Sequence, residues 1–132
     1  AWKSCMERTH FEQAKLWLEA AKHIASLGDD RNRNTVAVAM AIHAIIKAND
    51  ALTFKFLNVT ARRHDDARRL FEDLIKKNYV KAAHADYKHI VQDAINNKAK
   101  ADYRGTYFSK RDFESMKRDA EKFLKMVEET IM

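Results

Sequence analysis

The chain has 132 residues, a formal net charge of +6 at pH 7 and a sequence pI near 9.5, with no proline, two glycines and one cysteine. That length suits a single domain over residues 1–132 with one core, and the near absence of helix breakers points to an all-α fold. Cys5 alone excludes an internal disulfide or a thiolate zinc site and fits a reducing, cytoplasmic setting, while the basic excess favours anionic partners.

A first helix is expected from Trp2 to Leu27, because Met6, His10, Ala14, Trp17, Ala21 and Ile24 recur at steps of three and four. Lys3, Glu7, Arg8, Glu12, Lys15 and Glu19 interrupt it and argue against a signal peptide. Gly28 supplies its stop, and Asp29 to Arg33 reads as a connection.

Asn34 or Thr35 is expected to cap the second helix, which continues through Phe54 to about Asn58. Val36, Val38, Met40, Ile42, Ile45, Ile46 and Leu52, with the alanines between them, leave almost no polar face, so this helix belongs at the centre of the fold. Its exceptions, His43, Lys47 and Asp50, follow at steps of four and three and stack into one polar line. Buried polar groups need partners, so the line either anchors a hydrogen-bond network or marks a pocket. His84 is grouped with the same buried network, and His64 or Arg62 is the expected partner of Asp50. Lys47 and Asp50 inside the apolar run argue against a membrane span.

Asp65 or Asp66 is placed to start a third helix with an apolar stripe of Ala67, Leu70, Phe71 and Leu74. A fourth helix of roughly 15 residues is marked by Tyr79, Val80, Ala83, Tyr87, Ile90, Val91, Ala94 and Ile95 and is expected to end near Asn97. Lys98 to Phe108 contains Gly105 and lacks a clear period, so it reads as the longest loop. Ser109 and Asp112 form a capping-box pattern ahead of a last amphipathic helix through Phe113, Met116, Ala120, Phe123, Leu124, Val127 and Ile131. The sum is an up-and-down antiparallel bundle of four to five helices.

Two basic clusters are candidates for ligand or anion binding. Arg62, Arg63 and His64 sit at the mouth of the third helix, where backbone N–H groups attract anions, although Asp65 and Asp66 offset them. Residues 96–118 hold seven basic against three acidic residues, and Lys98, Lys100, Tyr103 and Arg104 interleave cations with an aromatic as base-stacking, phosphate-neutralising surfaces do. The alternative is that these aromatics fold back over the end of the bundle. None of the six histidines forms a metal-gripping pair with an intervening acid, so neither metal nor cofactor is expected.

The stretches AVAMAIHAIIKANDAL, ARRHDDARRLFEDL and KADYRGTYFSKRDFESMKRDAEKFLKMV, in this order, resemble the HEPN domain family over residues 10 to 130. The matching positions are Lys47, Ala48, Asp50, Ala51 and Leu52, then His64 and Asp65, then Tyr103 to Phe108. The resemblance implies a helical bundle, often a homodimer, that binds nucleotide or RNA, cleaves RNA, or pairs with a nucleotidyltransferase partner in toxin–antitoxin systems. Nuclease members carry an arginine, four to six residues, then a histidine. This chain has no such arrangement: Arg33 is too far from His43, Arg63 abuts His64, and only Lys77 keeps the gap, to His84. The expectation is therefore a binding module, with a degenerate metal-independent ribonuclease using His64 or His84 with Arg62 or Arg63 and a ligand-free structural or partner-binding bundle as the alternatives.

Overall fold

The computed structural model describes residues 2–103 and 105–132, with side chains described from Met6 onward except at Tyr103. Five α-helices account for most of the chain: α1 (Trp2–Ser26), α2 (Arg31–Leu57), α3 (His64–Lys76), α4 (Lys88–Tyr103) and α5 (Lys110–Ile131). A short 3₁₀ helix, Ala82–Tyr87, leads into α4, and no strand occurs among the described residues.

The four long helices alternate in direction. Trp17 meets His43 and His10 meets Lys47, so α1 and α2 run antiparallel. Lys110 reaches the Ala25 carbonyl at 3.1 Å and Lys22 pairs with Glu121 at 3.2 Å, so α5 runs antiparallel to α1. Asp93 faces Asp119 while Asn97 and Asp112 share a cleft, which sets α4 antiparallel to α5. The shorter α3 lies on the connection between α2 and α4, fixed to the centre by Asn49, whose Nδ2 donates to the Ala67 carbonyl at 3.1 Å.

Helix α2 touches all four other helices. It is long and apolar enough to cross a membrane by length and composition, yet 61% of its most apolar window is buried within the bundle, as befits a core helix. Around it pack Phe11, Ala14 and Leu18 of α1, Phe71 and Leu74 of α3, Val91 and Ala94 of α4, and Phe113, Phe123 and Val127 of α5. Each large side chain in this shell is worth about 1.5–3 kcal/mol of burial, before the entropy of ordering it.

Boundaries differ from expectation where side chains settle them. Asp30, rather than Asn34 or Thr35, caps α2: its Oδ1 accepts from the Arg33 N–H at 2.9 Å, and the Arg33 guanidinium pairs with the same carboxylate. Asn34 is buried in the first turn and donates to Asp29 Oδ1 at 3.0 Å. Asn58, left-handed at φ 59°, ends the helix as expected.

The fourth helix is shifted toward the C-terminus. Asn78 turns the chain at φ 62°, and the N–H groups of Tyr79 and Val80 both bond to the Leu74 carbonyl, which spends them on closing α3. Past Asn97 the chain stays helical, because a Lys98–Asp102 pair at 2.8 Å supports the next turn and no breaker intervenes before Gly105 at φ 60°. Lys98 and Lys100 therefore stand on a helix, and the expected long loop shrinks. The Ser109–Asp112 capping box forms as read, with reciprocal bonds of 3.1 and 2.9 Å.

Candidate functional site

The polar line of α2 is neither sealed in the core nor fully exposed: His43, Lys47 and Asp50 are all half-buried. They mark the seam that α2 leaves open between α1 on one side and the starts and ends of α3 and α4 on the other. The fully buried polar residues of the helix are instead Asn34, Asn49 and Thr53, which the apolar pattern did not single out. Asn49 stands next to Asp50 in sequence, but one step around a helix is the difference between core and seam.

Each member of the line has its own partner. His43 meets the Trp17 ring edge-on, with centroids 4.5 Å apart at 78°. Lys47 Nζ lies 3.1 Å from His10 Nδ1, a contact in which the neutral imidazole accepts. Asp50 takes neither His64 nor Arg62 as its partner: its Oδ1 accepts from the Ala61 backbone N–H at 3.4 Å, which ties down the loop ahead of α3.

Electrostatics join the seam to the neighbouring helices. Burial holds His43 below the usual histidine range, and Lys98, Lys47 and His64 push it further down. His64 is likewise lowered by desolvation and by Lys98, against the opposing carboxylates of Asp102 and Asp65. His10 is lowered by burial and by Lys47. Burial raises Asp50 to about 6, in spite of the Ala61 hydrogen bond and nearby Lys47. The carboxylate expected to charge a histidine thus stands on a line where cations dominate, and the imidazoles lean neutral.

Beside this line opens a cleft of about 490 Å³, lined by His64, Asp65, Ile95, Asn96, Lys98, Ala99 and Lys100. Three candidate residues from two separate sequence clusters, His64, Lys98 and Lys100, converge there. Arg62 and Arg63 are exposed just ahead of it, and Arg63 is the N-cap of α3 without a side-chain capping bond. Among the described residues, Arg62, Arg63, Lys47 and Lys100 take part in none of the ion pairs. Lys98 is paired with Asp102, yet an ammonium has three donors and keeps two for a ligand. Arg104 and the Tyr103 side chain lie outside the described residues.

His84 does not join this group. It sits on the 3₁₀ helix, its ring 5.2 Å from that of Tyr87, and faces a separate cavity with Tyr79, Lys81, Glu129 and Thr130. Its buried Nδ1 has no hydrogen-bond partner among the described residues. The buried network expected to include it is thus divided between two places, because the 3₁₀ helix carries His84 toward the end of α5 and away from the seam.

Sequence reasoning missed His10 and Trp17, both placed at the seam by α1. Their three-and-four spacing made them core positions, and only the partner helix decides which flank of such a stripe stays at an edge.

A family model described as HEPN domain matches residues 8–130. No curated protein matches the chain. Among solved structures, the crystal structure of TT1696 from Thermus thermophilus is similar, with a TM-score of 0.67 at 19% identity. The alignment covers 94% of this chain and 97% of that one, so the likeness extends over the whole bundle.

Proposed function

Since the chain belongs to the HEPN domain family, we propose that it is a binding module for nucleotide or RNA, holding phosphate in the cleft between α3 and α4. Family membership supports a nucleotide- or RNA-related role in general. The observation that carries the finer reading is the convergence of His64, Lys98 and Lys100 on one cleft beside the His43–Lys47 line. Lysines supply fixed charge to a phosphate, and histidines held neutral by burial and by neighbouring cations gain a proton once an anion arrives. The homodimer and the nucleotidyltransferase partner implied by the resemblance belong to the same proposal, and sedimentation of the purified chain tests the first.

Binding of a labelled single-stranded RNA, followed by anisotropy across a salt series, tests the cleft. Affinity falls steeply with salt, and Lys98→Gln or Lys100→Gln each lowers the logarithmic slope by about 0.7, the loss of one phosphate contact to a single strand. Salt-independent binding, or a slope unchanged in both variants, sinks the reading.

One observation favours a second reading. His64 lies close enough to His43 to act on its charge, and a pair of imidazoles is what metal-independent acid–base cleavage of RNA uses. RNA cleavage that survives chelator and disappears in both His43→Ala and His64→Ala supports a ribonuclease; cleavage indifferent to both removes it.

A further inference from the structure

Helix α1 exposes two large apolar side chains side by side: Leu16 is 61% exposed and Trp17, at the edge of the seam, 38% exposed. With Gln13 and Ala20 they frame a shallow apolar shelf of about 190 Å³. Trp17 is also the residue that touches His43, and His43 lies in the field of Lys47, Lys98 and His64. The aromatic shelf thereby borders His43, which feels the charges of the cleft residues Lys98 and His64.

That juxtaposition matches one class of ligand. A single-stranded polynucleotide alternates flat apolar bases with phosphates, and proteins bind it by pairing stacking platforms with positive charge. A second protein chain fits less well, because it would cover the apolar shelf and leave the cationic cleft without an anion. A duplex fits less well too, because its bases are already stacked and its edges lie within grooves.

We propose that Trp17 stacks a base of single-stranded RNA whose backbone phosphate lies in the His64–Lys98–Lys100 cleft. Gln13, at the rim of the shelf, offers an amide donor and acceptor to the edge of that base. The inference rests on the cleft being a phosphate site, and it adds the stacking residue and the preference for single strands.

The chain has two tryptophans, so a Trp2→Phe background leaves Trp17 as the sole indole reporter. Titrated with a short oligoadenylate, Trp17 fluorescence is quenched with the same midpoint as the anisotropy of the labelled strand, whereas a duplex of equal length gives little quenching. Trp17→Leu weakens oligoadenylate binding by roughly fivefold to 150-fold, the range for losing one stacked base, and leaves tripolyphosphate binding unchanged. Trp17→Phe restores most of the affinity, which separates stacking from a folding defect.

Salt-sensitive, Lys98-dependent RNA binding with silent Trp17 fluorescence and an unaffected Trp17→Leu variant overturns the stacking role while the cleft stands. Absence of RNA and tripolyphosphate binding removes both. A Trp17 signal that follows protein concentration without RNA overturns the proposal in favour of contact between copies of the chain.

Discussion

Asp50 keeps a carboxylate half-buried with a backbone N–H as its hydrogen-bond partner, and burial pushes its pKa up to about 6, above the usual aspartate range. A carboxyl raised on folding binds more protons in the native state, so its contribution to stability falls as pH climbs from about 4 through 6. Asp50→Asn preserves an acceptor for the Ala61 N–H and removes the ionisation. Urea unfolding at pH 7 is expected to place the variant roughly 1–2 kcal/mol above the parent, a figure discounted for partial exposure. The difference between the two shrinks toward zero near pH 4. Comparing them cancels the opposite trend of His43, His64 and His10, whose lowered values make them destabilising as pH falls. The sequence singled out Asp50 through its step from Lys47. It gave no hint that the neighbouring Asn49 is fully buried, because which side of a nearly all-apolar helix stays uncovered depends on where α3 and α4 dock.

Among the helices, some signals contained within four residues were legible, while the Asp30 cap of α2 and the Lys98–Asp102 pair, equally local, were not. Ser109 and Asp112 close a box from their own backbone, and Ser109→Ala is expected to cost about 1 kcal/mol of stability, read as a lowered thermal midpoint. Asn58 likewise ends α2 where its sequence suggests. The segment from Tyr79 to Tyr87, by contrast, has helical apolar spacing and still forms a turn and a 3₁₀ helix, since the Leu74 carbonyl captures its first N–H groups. The same shift extends α4 to Tyr103 and puts Lys98 and Lys100 on helical backbone. A phosphate site built on a helix needs less ordering on binding than one built on a loop.

For the molecule as a whole, the bundle and its central helix were readable from composition and period, while the cleft was not, because it joins residues more than thirty positions apart. The lysine-flanked histidines give that cleft a pH signature. An arriving phosphate favours the charged imidazole, so binding takes up protons and affinity rises as pH falls from 8 toward 5.5. Protonation of Asp50 near 6 acts in the same direction. RNA titrations across this range check the sign, and a His43→Gln, His64→Gln double variant flattens the curve.

The bundle is organised like a spindle. Helix α2 contacts every other α-helix, so the amides of its fully buried residues, among them Ile45, Ala48 and Leu52, are released only when those interfaces part together. Their hydrogen exchange is expected to follow global unfolding, at the slow limit for the chain, while amides at the C-terminal end of α4 exchange through local opening. A ligand held by Lys98 and Lys100 is therefore expected to be detected first as slowed exchange at that end of α4.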